Sequence, residues 1–334
     1  MNVRIGLVGG GFLTTFALLP ALDGLDGFEV AAVLDPDPAA RRQIAAGLVT
    51  GDEDEFFDAG LDAVHVATPN HLHAAVACRA LGEGLAVLVD KPLAGTVGDA
   101  LEIHRAAQKS AAPLLVGYFS RYKAPNVAIR RLVADGAIGE PLAMNAVHLG
   151  HRDGDWRNYR ATSGLGCAAD LAIYPLLTAG DLLGAPATEC QAVAYPAADP
   201  ELTDVYLDAT VWFGGRPLHV ESSFLEAPQV GVSRYTVVGT AGVIVADGTW
   251  AMNDGGSVLL CNRTGRRPVT PPLTNPYARQ YQTLAGCMAG APVPAEVGSA
   301  RALRDVAVLH LLDRSAAAGG ERLAIPDGEP PWIS

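Results

Sequence analysis

Of the 24 basic residues in this 334-residue chain only three are lysines, Lys91, Lys109 and Lys123. In a chain that otherwise takes its positive charge from arginine, a retained lysine carries more information than usual, although the plain alternative for any one of them is a surface lysine. Lys91 stands just beyond an apolar run that reads as a strand, and Pro92 after it keeps the local backbone extended. Doubly wound sheets place their ligands at such strand ends. Asp170 and Tyr174 are four residues apart and share one face if a helix begins by Asp170. Pro175 bears on that start, because proline is best tolerated in a helix's first turn. A free phenol titrates near ~10 and exchanges its proton at neutral pH only beside a cation. Lys91 and Tyr174 therefore suit a proton-handling pair, with Asp170 orienting the lysine or a bound hydroxyl. The plain alternative for the last two is an N-terminal helix Asp and a core Tyr.

A second group of residues suits a phosphate-bearing ligand. Gly9-Gly10-Gly11-Phe12-Leu13-Thr14 reads G-x-G-x-x-T between a strand and a helix. Gly9 permits the tight turn, and Gly11 lets a pyrophosphate approach the backbone. Thr14 stands where Gly or Ala is usual, so a larger side chain must fit between helix and strand. Asp35 closes the next apolar run and suits ribose hydroxyls. The set predicts a bound nicotinamide dinucleotide. A carboxylate at Asp35 repels a 2′-phosphate and favours NAD(H). Arg41 and Arg42 follow closely and could accept that phosphate, which leaves NADP(H) as the alternative; they read equally as a solvated helix face.

The elements that position these residues follow from periodicity. Apolar runs at 3–8, 29–34, 63–67, 85–89 and 114–117 read as buried strands. Helical patterns lie between them at 12–22, 38–46, 72–81 and 97–109. This alternation predicts an α/β fold with an N-terminal Rossmann domain, a doubly wound parallel sheet, over 1–120. The short stretch between Ala46 and Asp62 predicts a trimmed helix–strand pair. From 121 to 334 the pattern changes to helices at 123–135, 171–183, 277–288 and 300–318, with a strand at 141–149 and alternating runs at 205–213, 218–224 and 233–238. This half reads as an α+β substrate-binding and oligomerisation domain with an open, mainly antiparallel sheet.

Composition narrows the partners. With 36 acidic residues the formal net charge is −12, so a basic face for nucleic acid is not expected. Five widely spaced cysteines form no C-x-x-C pair, which fits a reducing cytoplasm rather than a disulfide framework. No His/Cys/carboxylate cluster has metal-ligand spacing. The uncharged stretch 5–22 resembles a membrane segment, yet three glycines and Pro20 make it a strand–turn–helix. No membrane partner is expected.

Several segments, in order, resemble the glucose–fructose oxidoreductase, inositol dehydrogenase and rhizopine catabolism family. They are Ala67-Thr68-Pro69-Asn70-His71-Leu72-His73; Val89-Asp90-Lys91-Pro92-Leu93; Gly117 through Pro141, with Arg121-Tyr122; Asp155-Trp156-Arg157; and Gly164 to Pro175. The resemblance covers nearly the whole chain. It departs where the family's Glu-Lys-Pro has Asp90 for Glu, and where its Asp-x-x-x-His ends in Tyr174, as in the glucose–fructose oxidoreductase and dimeric dihydrodiol dehydrogenase branches. It implies catalytic roles for Lys91, Asp170 and Tyr174. It implies cofactor contacts from Gly9, Gly11, Phe12, Leu13, Asp35, Thr68, Pro69, Asn70, His71 and Lys91. Arg121, Trp156 and Arg157 match positions that line the substrate pocket, while His148 and His151, near a strand end, read as structural. The expected function is NAD(P)-dependent hydride transfer at a hydroxyl or ketone carbon of a sugar, sugar derivative or cyclic polyol. Oxidation of a trans-dihydrodiol, or cofactor sensing without chemistry, are the alternatives. A homodimer or homotetramer is expected, as in the family.

Overall fold

The computed structural model describes residues 2–151, 156–196, 199, 201–225, 231–252, 255–328 and 330. The chain forms two compact units. The first comprises Met1–Phe119 and Tyr277–Leu303, the second Ser120–Pro276 and Arg304–Ser334.

Six apolar runs make the sheet of the first unit: β1 Val3–Val8, β2 Phe28–Leu34, β3 Leu48–Thr50, β4 Ala63–Val66, β5 Ala86–Asp90 and β6 Leu114–Gly117. All neighbours are parallel, in the order β3-β2-β1-β4-β5-β6. A parallel sheet is covered on both faces, which is why these strands read as continuous apolar runs rather than alternating ones. The order reverses between β1 and β4, and ligands of such sheets bind at the carboxyl ends beside that reversal. Helices His73–Gly82 and Val97–Lys109 follow β4 and β5.

The expected helix over 38–46 is cut to Pro38–Arg41. Asp37 caps its start, accepting from the Ala39 amide at 2.8 Å. The chain then tightens, because Gln43 and Ile44 donate to the carbonyls three residues back. At Gly47 a Cβ would stand 2.7 Å from the Ala31 carbonyl oxygen, so the chain must pass β2 closely to enter β3. The trimmed pair is the three-residue β3 and the helix Glu53–Phe57.

A single cut at residue 120 does not describe the return of Tyr277–Leu303 to the first unit. Tyr281 is fully buried; its hydroxyl lies 2.8 Å from His65 Nδ1, and its ring centroid is 5.7 Å from that of Phe28. Tyr277 stacks on Phe119 at 5.0 Å. His65, within β4, has no hydrogen-bond partner at Nε2 among the described residues. Burial, and then the neighbouring His73, push its pKa down to about 3. A histidine whose folded pKa lies below its unfolded one adds stability above pH ~6.5 that is lost as pH falls toward the folded value. Each pH unit in that window costs about 1.4 kcal/mol for one group, so from pH 6.5 to 4.5 the loss is about 3 kcal/mol. His65→Gln should remove that component. Denaturant melts of both proteins across this window check it, and parallel stability curves would refute the assignment.

The second unit is built on nine strands: β7 Pro141–His151, β8 Ala187–Tyr195, β9 Tyr206–Phe213, β10 Arg216–Leu225, β11 Val232–Gly239, β12 Gly242–Asp247, β13 Ser257–Asn262, β14 Gly265–Pro268 and β15 Leu323–Ala324. Their order is β14-β13-β12-β11-β7-β10-β9-β8-β15. β7 and β10 pair in parallel, and the other neighbouring strands among the described residues pair antiparallel. Burial alternates along β9, where Leu207, Ala209, Val211 and Phe213 point inward. A π-helical turn, Ala168–Ala172, and the helix Ile173–Leu182 pack on β7 and β10. Residues Arg160–Leu182 are long and apolar enough to cross a membrane, but 83% of their apolar window is buried inside the protein as core.

Candidate active site

The glycine turn follows β1 directly. Gly9 has φ +100°, and a Cβ there would stand 2.5 Å from the Ala67 carbonyl oxygen, so no side chain fits. The Gly10 amide donates to Asp35 Oδ2 at 2.6 Å. Gly11 is exposed, with nothing within 4 Å of where its Cβ would lie, which leaves an open backbone face. Thr14 is accommodated because it is fully buried and its hydroxyl donates to the Gly9 carbonyl at 2.5 Å, tying the helix start to the turn. Leu13 is half-buried; Phe12 is 67% exposed and stacks on Phe16 at 5.0 Å. The helix expected over 12–22 contains a π-helical turn at Thr14–Leu18.

Asp35 sits just past β2, half-buried. Besides the Gly10 amide its carboxylate takes the Asp37 amide at 2.8 Å. Arg41 does not form a solvated face. Its Nη1 donates to the carbonyls of Asp35 at 2.7 Å and Pro36 at 3.0 Å, and it packs against Gly51. Arg42 is exposed.

Two further loops leave the carboxyl ends of the neighbouring strands β4 and β5. In the first, Thr68 Oγ1 is buried without a hydrogen-bond partner among the described residues, Asn70 is buried and His71 exposed. In the second, Lys91 is half-buried, Pro92 is buried, and the peptide between them is cis. An open glycine face, a strand-end carboxylate and an orphaned buried hydroxyl fit a dinucleotide well. His73, to which the sequence assigned no role, lies against both loops. Its Nδ1 is 3.1 Å from the Pro92 oxygen and 3.3 Å from that of Leu93, and its Nε2 is 3.0 Å from the Thr68 oxygen. Burial lowers its pKa, opposed by those three carbonyls.

In the second unit Asp170 lies in the π-helical turn and Tyr174 in the α-helix that follows, with Pro175 in that helix's first turn. Simple α-helical spacing therefore does not govern the pair. Asp170 is 8% exposed, and a buried carboxylate needs a cation. Arg157 supplies it: Nε lies 3.5 Å from Asp170 Oδ1, and the guanidinium carbon lies 4.3 Å above the Trp156 ring. The Trp156–Asn158 turn is fixed by Thr162, which donates to the Trp156 carbonyl at 2.5 Å, and by Thr203, which donates to that of Arg157 at 2.9 Å. Asp155 lies outside the described residues. Tyr174 is 7% exposed, with its ring edge-on to His148 at 5.3 Å. His148 reaches down from β7, and its Nδ1–H donates to the Leu171 carbonyl at 3.1 Å. His151, at the end of β7, is half-buried.

Arg121 lies near the start of the second unit. It pairs with buried Asp181, which Arg130 approaches at 3.8 Å, and the three line a small cavity with Ser120, Thr178 and Tyr235. Asp204 is a second residue the sequence did not single out. Buried, it accepts from the Cys167 thiol at 2.7 Å and the Ala168 amide at 3.1 Å, which anchors the start of the π-helical turn. Burial raises its pKa, and the two donors oppose that rise. An Asp 34 residues from Asp170 carries no local pattern that would have revealed it.

Two family models match the chain. Residues 3–118 match the oxidoreductase family with an NAD-binding Rossmann fold, and residues 126–245 match the GFO/IDH/MocA C-terminal domain. Inositol 2-dehydrogenase 1 of Saccharopolyspora erythraea is 37% identical over 158 residues, which cover 44% of this chain and 46% of that protein. The chain thus spans about half the length of that relative. The dTDP-3,4-didehydro-2,6-dideoxy-alpha-D-glucose 3-reductase of Saccharopolyspora spinosa is 30% identical over 254 residues, covering 73% of this chain and 74% of that protein. Among solved structures, the aldose–aldose oxidoreductase from Caulobacter crescentus, complexed with glycerol, superposes with a TM-score of 0.87 at 25% identity, covering 97% of this chain and all of that one.

Proposed function

The chain belongs to the glucose–fructose oxidoreductase, inositol dehydrogenase and rhizopine catabolism family, and we propose that it is an NAD(P)-dependent dehydrogenase or reductase acting on a CH–OH carbon of a sugar, sugar derivative or cyclic polyol. The observation that carries the substrate class is the buried Asp170 carboxylate held by Arg157 over the Trp156 face. Carboxylate, guanidinium and indole suit a ring carrying several hydroxyls. A ligand that leaves such groups unpaired loses about 1–3 kcal/mol for each. The similar proteins act, by their names, on a cyclitol, a nucleotide-linked keto sugar and aldoses, which supports the same class.

A nicotinamide dinucleotide held here would supply the hydride or accept it. The chain's residues hold the cofactor and move the proton. Gly9, Gly11, Phe12 and Leu13 would hold the pyrophosphate, and Thr68, Pro69, Asn70 and His71 would flank the nicotinamide. Lys91 exchanges the proton at the reacting oxygen, while Tyr174 and Asp170 hold and orient the hydroxyl, with Trp156 and Arg157 binding the ring. Arg121 joins the substrate wall through its pair with Asp181.

NAD(H) is favoured over NADP(H). Asp35 repels a 2′-phosphate, and the committed Arg41 guanidinium offers little to attract one. Free cysteines suit a reducing cytoplasm, the acidic charge argues against nucleic acid, and the open sheet, with Val193 and Tyr195 exposed on β8, suits a homodimer or homotetramer.

A panel of a pyranose, a cyclitol, a nucleotide-linked keto sugar, an aromatic trans-dihydrodiol, ethanol and cyclohexanol tests the reading, scored by kcat/KM with each cofactor. The polyhydroxylated rings should exceed the simple alcohols by at least about 10²-fold, two or more unpaired groups' worth. Preference for the dihydrodiol would replace the sugar reading. Tight cofactor binding without turnover would favour a sensor, and preference for NADP(H) would point to Arg42.

A further inference from the structure

We propose that His73 is a positioning residue for hydride transfer: its ring fastens the Thr68–Asn70 loop to the Lys91–Leu93 loop and so sets where the Lys91 ammonium stands. The inference rests on the role proposed above for Lys91. The ladder between β4 and β5 ends at the Val66–Val89 pair, and beyond it the two chains part into loops. His73 opens the helix that follows the first loop, and its ring spans the gap, 1% exposed. Pro92 and Leu93 oxygens face one edge and the Thr68 oxygen the other. All three neighbours are acceptors, so a ring carrying both N–H groups donates to both loops, whereas the neutral ring that burial favours donates to one loop and packs against the carbonyl of the other. An aliphatic side chain could fill this space, yet it would hold neither loop. The ring instead touches the residue next to Lys91 and Thr68, whose hydroxyl is buried without a hydrogen-bond partner among the described residues. A misplacement of about 1 Å in a reacting group costs up to 10²-fold in rate, so a joint at this point governs turnover more than binding.

Two substitutions separate positioning from packing. His73→Leu fills the space without a donor, and His73→Gln keeps an amide that can donate to one loop. Hydrogen exchange by mass spectrometry over residues 68–72 and 91–95 reads the joint without any substrate. In His73→Leu both segments should exchange about fivefold faster or more, together, while the β1 and β2 peptides stay unchanged. On the wild type's best substrate kcat should fall about 10–100-fold, with NADH Kd raised by less than about tenfold, because the loosened loop is assigned to the nicotinamide while the glycine turn and Asp35 are untouched. His73→Gln should recover much of both, and if His73→Leu does not fold, the Gln variant should still show coupled, smaller changes. Unchanged exchange over 91–95 overturns the proposal. So does loss of protection throughout the unit with kcat and Kd falling in parallel and no rescue by Gln. A wild type inactive on every substrate overturns the reading of Lys91 and the catalytic half of this inference, whereas the exchange arm still decides whether the ring joins the loops.

Discussion

Lys91→Met should lower kcat by about 10²–10⁴-fold, the span of lost general acid–base help, and leave NADH binding within a few-fold of wild type. Methionine keeps the length and apolar stem of lysine and removes only the ammonium. The other two lysines cannot substitute. Lys109 is exposed in the last turn of its helix, and Lys123 is fully buried with Nζ 2.6 Å from the Ala251 carbonyl and 3.3 Å from that of Gly248. Lys91 stands at the carboxyl end of β5, where the fold presents its ligand-binding edge. Nicotinamide absorbance gives kcat, and fluorescence titration gives Kd. Cofactor affinity should persist because the pyrophosphate turn and Asp35 belong to β1 and β2. Near-normal turnover in the folded variant would remove Lys91 from the chemistry.

What could be read in advance follows the range of the forces involved. The parallel strands announced themselves because burial on both faces forces continuous apolar runs. Gly9 was legible because only glycine tolerates its φ against the Ala67 carbonyl. Thr14 looked like a misfit and is instead a fastening, since its hydroxyl finds the Gly9 oxygen. The unforeseen features depend on partners distant in sequence. Helix 38–46 is short because Arg41 folds back on the chain and Gly47 must pass Ala31. Tyr277–Leu303 returns to the first unit because Tyr281 meets His65, 216 residues earlier. His73, His148 and Asp204 act on carbonyls, a ring and a thiol that share no local pattern with them. The π-helical turn at Ala168–Ala172 is likewise invisible to a period-of-3.6 argument, which placed Asp170 and Tyr174 on one α-helical face.

Tyr174→Phe should cut kcat by about 10²-fold, the lower end of the range for a proton-handling group, with KM changed far less. Phenylalanine preserves the buried ring and its edge-on contact with His148, and the Thr178 hydroxyl still donates to the backbone carbonyl of residue 174. Only the phenolic oxygen is lost. If that oxygen merely satisfied the core, its removal would lower stability and leave turnover alone. The surroundings speak for a placed hydroxyl. His148 fixes the turn through Leu171, Asp204 anchors its start through Ala168, and Arg157 holds Asp170 within it. These contacts converge on one short segment whose two polar side chains are Asp170 and Tyr174. Steady-state kinetics on the best polyhydroxylated substrate, beside a thermal melt, separate the outcomes. A fall in kcat at unchanged Tm assigns the hydroxyl to the reaction, and a lower Tm at unchanged kcat assigns it to packing.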